Sequence, residues 1–180
     1  MTKILAFVGM PASGKSEAAS VLRDKGITVI NMGDVIREEV MRRGMKPTDA
    51  NTGGIGTEMR ENEGSDAVAK RCIPKIKTIK EYFIGIDGVR SVYEVERFKG
   101  TFGSDFTLVS VDSPLELRFE RVLSRKRSDD MQDISDLQIR DERELGWGMG
   151  EAMKIADVVI ENNGTLEEFR EKITALMDHQ

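Results

Sequence analysis

Short apolar runs recur along the chain, separated by longer stretches in which apolar and polar residues follow helical spacing. The first run, Ile4–Val8, is continuous and ends at Gly9. A continuous apolar run of this length is typical of a strand buried on both faces of a parallel sheet. Further apolar runs predict four more strands, at 27–30, 82–86, 107–111 and 158–160.

The stretches between these runs predict amphipathic helices. After the first run, the apolar positions Ala18, Ala19, Val21 and Leu22 recur at helical spacing, and Gly26 ends that helix. Strands that alternate with helices predict right-handed crossovers and a parallel sheet with helices on both faces. We therefore expect one domain, 1–180, with a three-layer α/β/α fold.

Two regions fit this alternation poorly. Residues 44–64 hold five glycines and Pro47, with little apolar periodicity. Residues 118–133 change from strongly basic to acidic. Loops of this length over a compact core are often functional, so both regions are expected to be mobile inserts.

The residues between the first strand and the first helix match the phosphate-loop pattern G-x-x-x-x-G-K-[ST]. They are Gly9, Met10, Pro11, Ala12, Ser13, Gly14, Lys15 and Ser16. The glycines let bare backbone approach an anion, and the loop N–H groups with the helix N-terminus form an anion nest. A chance match in such a chain is expected at about the one-in-a-hundred level. We expect the whole loop to bind nucleotide phosphates, with Lys15 reaching the β- and γ-phosphates and Ser16 offering its hydroxyl to Mg²⁺.

A second metal ligand is predicted at the end of the third strand. Apolar residues lead there to Asp87, as in a Walker B strand, and a carboxylate at this place can help to hold Mg²⁺. The alternative is a turn aspartate, because Asp87 and Gly88 form a common turn pair.

An arginine cluster lies between the fourth and fifth strands. Arg118, Arg121 and Arg125 share one helical face by their spacing. Phosphoryl transfer depends on cations that stabilise the migrating group and on a closure that excludes water. The cluster therefore predicts a lid with catalytic arginines, Arg121 and Arg125 among them; the alternative is a solvated basic helix end.

Two further candidates follow the second strand, at the carboxyl edge where ligands of open α/β sheets collect. Arg37 can bind an acceptor phosphate in bidentate fashion. Asp34 can accept a proton if the acceptor is a hydroxyl, and its alternative is an ordinary helix N-cap.

Composition narrows the class of protein. The chain has 180 residues, 39% of them hydrophobic and 33% charged, with a net charge of −5. An acidic chain is a poor candidate for non-specific nucleic-acid binding. The chain has one cysteine, Cys72, which argues against an internal disulfide, and one histidine, His179, which argues against a multi-histidine metal site. No apolar stretch is long enough to span a membrane, so a cytoplasmic location is the default expectation.

Several of these segments resemble nucleoside monophosphate kinases: the loop Gly9–Ser16 and the Gly33-Asp34-x-x-Arg37 segment after strand two. The tail 154–164 is similar to dephospho-coenzyme A kinases and adenylate kinases. Taken whole, the chain most resembles a small archaeal family of nucleotide-kinase-related proteins, in which Asp87-Gly-Val-Arg90-Ser recurs along with the segment 127–130.

The resemblance implies a P-loop kinase core with strand order 2-3-1-4-5, an acceptor-binding insert over 34–75 and an arginine-rich lid over 118–140. It implies that Asn163 lies against the adenine base and that Arg90 binds the acceptor. In adenylate kinases a proline lies between Asp-Gly and the corresponding arginine, which is one residue further along the chain. Here that proline is missing, and Arg90 follows Asp87-Gly88 one residue earlier. Either Arg140 or Arg143 is the candidate for the arginine on the helix after the lid.

The leading hypothesis is a kinase that transfers the γ-phosphoryl group of ATP·Mg²⁺ to a nucleoside monophosphate, with AMP as first choice. A hydroxyl acceptor of the dephospho-coenzyme A type is the alternative within the same class. An ATP-binding regulatory protein with little turnover is the alternative from another class.

Overall fold

The apolar runs form one parallel sheet. The computed structural model describes residues 2–125 and 133–178. The sheet has five strands in the order β2-β3-β1-β4-β5, which confirms the expected P-loop kinase-like α/β fold. The strands are β1 (Lys3–Val8), β2 (Val29–Asn31), β3 (Phe83–Asp87), β4 (Phe106–Asp112) and β5 (Val158–Glu161).

Parallel pairing brings the carboxyl ends of the strands to one edge of the sheet. β3 pairs with β1 and with β2, and places Asp87 opposite Asn31. β4 pairs with β1 and with β5, and places Ser110 opposite both Val8 and Val159. Ligands of open α/β sheets bind beyond this edge, so the loops that follow β1, β2 and β3 carry the candidate site.

Helices connect the strands. They are α1 (Lys15–Asp24), α2 (Met32–Arg42), α3 (Asp49–Glu63), α4 (Ala67–Thr78), α5 (Val92–Phe102), α6 (Leu115–Arg125), α7 (Ile134–Gly146), α8 (Met149–Lys154) and α9 (Leu166–Asp178). A short 3-10 helix, Gly103–Asp105, precedes β4. Within the described part of the chain, no helix combines the length and the apolar character that crossing a bilayer requires.

Alternate residues of β1 face two apolar layers. Ile4, Ala6 and Val8 pack in a core shared with α2, α3, α4, α5 and α8. Leu5 and Phe7 pack in a second core shared with α1 and α9. Because both faces of the strand are buried, its sequence is a continuous apolar run without alternation.

The sequence predicts an irregular insert over residues 44–64, but most of this region forms the helix α3 (Asp49–Glu63). α3 continues through the glycines of Gly53–Gly56, although each glycine costs roughly 1 kcal/mol relative to alanine inside a helix. The Thr48 hydroxyl accepts a hydrogen bond from the Asn51 N–H at 3.2 Å, and so caps the helix. Ile55 and Met59 are buried against the rest of the core. Tertiary packing therefore outweighs the low helix propensity of this segment.

The predicted lid is described only at its two ends. α6 carries its first residues up to Arg125, and α7 carries its last residues from Ile134. Residues 126–132, which hold Arg127 and most of the acidic part of the predicted lid, lie outside the described residues. The lid over 118–140 and the acceptor insert over 34–75 both stay predictions.

Candidate functional site

The phosphate loop turns tightly between β1 and α1, and residues in and after neighbouring strands leave no room for a side chain at two of its glycines. Gly14 has a φ of +116°, and a Cβ at this residue would lie 2.5 Å from Nδ2 of Asn162. A Cβ at Gly9 would lie 2.5 Å from the carbonyl oxygen of Val111. Ala12 also has a positive φ, 61°. The loop therefore follows the ends of β4 and β5 closely.

Three side chains from other elements reach the carbonyl oxygen of Ser13. Asn162 Nδ2 donates to it at 2.8 Å, Ser113 Oγ at 3.4 Å and Arg121 Nη1 at 3.5 Å. Asn162 is buried and fixes the loop, whereas the next residue, Asn163, is exposed. The adenine contact of Asn163 stays a prediction, and the supporting role of Asn162 was missed from the sequence.

Lys15 turns back onto its own loop. Its Nζ donates to the carbonyl oxygens of Gly9 at 2.5 Å and Met10 at 3.0 Å. Lys15 also borders a cavity of about 820 Å³, which we call the loop cavity. Burial lowers the pKa of Lys15 to about 8, partly opposed by the negative charge of Glu144. A poorly solvated ammonium gains more from an anionic ligand than an exposed lysine does.

Ser16 and Asp87 border the same loop cavity. Ser16 is exposed on the first turn of α1, and Asp87 is the last residue of β3. Among the described residues, no group of three or more histidine, cysteine or acidic side chains is arranged to hold a metal ion. Mg²⁺ bound to a nucleotide does not need such a group, because water and phosphate oxygens supply most of its ligands. The hydroxyl and the carboxylate therefore fit a Mg²⁺ ion that arrives with a nucleotide.

Arg118 is buried, so the alternative of a solvated basic helix end does not hold for this arginine. Its guanidinium donates to both carboxylate oxygens of Asp141, at 2.7 Å each. It also donates to the carbonyl oxygens of Pro11 and Ser113, at 3.2 Å each. Arg118 therefore joins α6, α7 and the phosphate loop, and its role is to hold them together.

Arg121 lies one turn further along α6 and borders the loop cavity. It donates from Nη1 to Ser113 Oγ at 2.8 Å and from Nη2 to the Asn162 carbonyl oxygen at 2.5 Å. The structure therefore places Arg121 beside the phosphate loop. Arg125 is the last residue of α6, and its side chain lies outside the described residues. The catalytic roles of both arginines stay predictions.

A second cavity, of about 190 Å³, adjoins the loop cavity. We call it the arginine cavity. Both cavities are bordered by Gly33, Arg37, Gly88, Arg90, Arg140 and Glu144. The arginine cavity is bordered by five arginines in all, namely Arg37, Arg60, Arg90, Arg140 and Arg143. An anion that enters it therefore meets guanidinium groups from several elements.

Arg37 and Asp34 are neighbours on α2 but differ in their relation to the cavities. Arg37 borders both cavities. Asp34 is 60% exposed in its side chain and accepts a hydrogen bond from Arg37 Nη2 at 2.5 Å. It is not among the residues that border either cavity. The N-cap of α2 is Asn31, whose side chain accepts from the Gly33 N–H at 2.8 Å, so the alternative reading of Asp34 as the N-cap is wrong.

Arg90 points into the arginine cavity and is held there by contacts with α7. Its Nη1 donates to Glu144 Oε1, and its guanidinium lies 5.5 Å from the centre of the Trp147 ring. Arg60, on α3, lies 5.7 Å from the same ring centre and donates to Glu94 Oε1 at 3.1 Å. Trp147 therefore positions two arginines of the cavity, in addition to packing.

Arg60 and Glu144 were not singled out from the sequence. Arg60 belongs to the glycine-rich segment that predicts no regular structure, so no helical face could be assigned to it. Glu144 is one of many charged residues on α7, and nothing in its local spacing distinguishes it. Their roles come from tertiary packing, which brings α3 and α7 together across the end of the sheet.

Comparison with known proteins shows which families the chain is related to. The profile of the AAA domain family AAA_17 matches residues 8–138. A UPF0200 protein from Methanosarcina barkeri is 55% identical over 177 residues, covering 98% of this chain and 95% of that protein. A UPF0200/UPF0201 protein from Archaeoglobus fulgidus is 55% identical over 97% of this chain, but the chain spans only 55% of its length.

Solved structures share the fold at low sequence identity. A shikimate kinase from Acinetobacter baumannii in complex with shikimate has a TM-score of 0.60 and 16% identity, covering 99% of this chain and 94% of that one. A gluconokinase from Sinorhizobium meliloti has a TM-score of 0.58 and 16% identity, covering 99% and 92%. At this identity the likeness concerns the fold alone.

Proposed function

The chain belongs to the UPF0200 family and carries a P-loop domain of the AAA_17 family; on this premise we propose that it is an ATP-dependent phosphotransferase whose acceptor carries a phosphate group. AMP is the first choice of acceptor. The observation that supports the proposal is the arginine cavity, which shares six bordering residues with the loop cavity.

The residues of the arginine cavity favour an anionic acceptor. Arginine presents a planar fork that binds phosphate in bidentate fashion. Five arginines border the cavity and Glu144 borders it too, so the lining carries an excess of positive charge. A phosphate on the acceptor would add negative charge to a lining in which arginine outnumbers glutamate five to one.

The donor nucleotide would lie in the loop cavity. Backbone N–H groups of the phosphate loop and Lys15 would bind its phosphates, and Ser16 and Asp87 would hold its Mg²⁺. Mg²⁺ supplies charge neutralisation on the β- and γ-phosphate oxygens. Arg121, beside the loop, would stabilise the charge of the migrating group, because phosphoryl transfer depends mainly on positioning and cations.

Asp34 gives less support to a hydroxyl acceptor. A general base has to reach the proton that it removes, and Asp34 is tied to Arg37 outside both cavities. Arg37 borders both cavities and supports the phosphate acceptor instead. Shikimate kinase and gluconokinase share the fold. Hydroxy acids such as shikimate and gluconate therefore have to be tested as acceptors too.

A coupled assay for ADP formation tests the proposal. ATP·Mg²⁺ is supplied with AMP, other nucleoside monophosphates, dephospho-coenzyme A, shikimate or gluconate. The proposal predicts rapid ADP formation only with a nucleoside monophosphate, loss of this activity in Lys15→Ala, and normal activity in Lys25→Ala, an exposed lysine just after α1. Activity only with dephospho-coenzyme A, shikimate or gluconate, which would accept the phosphoryl group on a hydroxyl, would contradict a phosphate group as the acceptor. Tight ATP binding without any acceptor-stimulated turnover would favour a regulatory protein.

A further inference from the structure

Buried polar atoms without a partner are concentrated at the candidate site. Within residues 2–125 and 133–178, three buried side-chain atoms lack a hydrogen-bond partner: Ser13 Oγ, Arg60 Nε and Glu144 Oε2. Ser13 belongs to the phosphate loop, and the other two residues border the arginine cavity. Native proteins rarely leave such atoms unpaired, and exceptions often mark functional groups. The acceptor is the molecule that would occupy the space beside Arg60 and Glu144.

Glu144 is the most informative of the three residues. It is 2% exposed, although it borders both cavities. One carboxylate oxygen, Oε1, accepts from Arg90 Nη1 and lies 3.7 Å from Nε of Arg140. The arginines therefore occupy one oxygen and leave the other without a donor.

The unpaired oxygen Oε2 of Glu144 needs a hydrogen-bond donor. An ionised carboxylate is only an acceptor of hydrogen bonds, and it repels the phosphate that the surrounding arginines attract. Oε2 therefore needs an O–H or N–H donor, which water can supply in the free protein and a hydroxyl or amino group of the acceptor can supply in the complex. Because Glu144 borders both cavities, an acceptor bound in the arginine cavity would lie beside this residue.

We propose that Glu144 is a specificity-determining residue, and that its Oε2 accepts a hydrogen bond from a hydroxyl or amino group of the acceptor. The acceptor class is thereby narrowed to molecules that carry such a donor group together with a phosphate. This inference rests on the proposed function, since it concerns the acceptor of the same reaction.

The test compares AMP with three analogues that each lack one donor: 2′-deoxy-AMP, 3′-deoxy-AMP and the monophosphate of purine riboside, which lacks the amino group. We expect kcat/KM of the wild-type protein to fall roughly tenfold to a hundredfold for one analogue, as for a hydrogen bond to a charged group. In Glu144→Gln that preference should shrink to a few-fold, because the charge is lost, and in Glu144→Ala it should disappear. Glu142→Gln, an exposed acid on the same helix, should keep the full preference.

The outcomes separate this inference from the proposed function. If Glu144 only supports Arg90 and Arg140, its substitution lowers kcat/KM equally for all four acceptors, and the inference is overturned. Equal use of all four acceptors by the wild-type protein overturns it as well, whether or not the variants fold. Absence of AMP-stimulated ADP formation in the wild-type protein overturns the proposed function with AMP and this inference together.

Discussion

The loop cavity and the arginine cavity are built in different ways. The loop cavity depends on consecutive residues, Gly9–Ser16, whose conformation is set by the end of one strand and the start of one helix. The arginine cavity draws its residues from α2, α3, α4, α7 and the loops after β3 and α7. A phosphate loop can therefore be recognised by spacing alone, whereas the arginine cavity exists only once distant elements pack together.

The two cavities also differ in electrostatics. In the loop cavity, Lys15 bonds to carbonyl oxygens of its own loop and is poorly solvated. In the arginine cavity, Arg90 is already paired with Glu144 and Arg60 with Glu94. A nucleotide would relieve an electrostatic cost in the first cavity, whereas an acceptor enters a preformed, partly compensated charge network in the second.

The sharpest contrast is expected between two arginines of α6. Arg121→Ala should lower kcat by about 100- to 1000-fold with a smaller change in ATP affinity, as for removal of one group that stabilises transition-state charge. Arg118→Ala should instead lower the free energy of unfolding by about 3–5 kcal/mol, because Asp141 would lose its buried partner. Steady-state kinetics and urea denaturation of both variants check this pair. Similar behaviour of both variants would contradict the division of roles.

Arg37→Ala tests whether the arginine cavity binds the acceptor phosphate. We expect the KM for AMP to rise by roughly 10- to 100-fold, because a bidentate charged contact with the acceptor phosphate is lost. The ATP affinity should change little. Arg42→Ala, on the same helix and 71% exposed in its side chain, should leave both quantities unchanged. A larger loss of ATP affinity than of AMP affinity would place Arg37 on the donor side.

The glycines of α3 allow a matched comparison. A Cβ at either Gly53 or Gly54 would meet no atom within 4 Å, but only Gly53 borders the arginine cavity. Both Gly53→Ala and Gly54→Ala should raise the free energy of unfolding by roughly 0.5–1 kcal/mol through helix propensity. Gly53→Ala should also raise the KM for AMP several-fold, since its methyl group enters the acceptor space. If both variants bind AMP equally well, this face of α3 does not contact the acceptor.

The smallest expected effect is a proton uptake on ATP binding. With a pKa of about 8, Lys15 is about half neutral at about pH 8 in the free protein. Bound phosphates favour the charged form, so complex formation should take up about half a proton at about pH 8 and almost none at about pH 6. ATP affinity should accordingly fall as the pH rises through 8. Calorimetry in buffers of different ionisation enthalpy measures the uptake, which should vanish in Lys15→Ala.

The sequence predicts the sheet and the phosphate loop because both depend on local patterns. Ile4–Val8 is apolar throughout since both of its faces are buried, and the strand order is confirmed. α3 was not predicted because its glycines disfavour a helix, and only packing against α2 and α4 compensates for them. Arg60 and Glu144 could not be found for the same reason: their surroundings are created by the tertiary structure.

The central claim is that the loop cavity and the adjoining arginine cavity bind two phosphate-bearing ligands at once. Calorimetric titration with diadenosine pentaphosphate, which joins two adenosines through one phosphate chain, tests it most directly. We predict one ligand per chain and an affinity roughly 100-fold above that of ATP, because linked ligands gain effective concentration, and loss of this advantage in Arg37→Ala. An affinity no higher than that of ATP would contradict the claim.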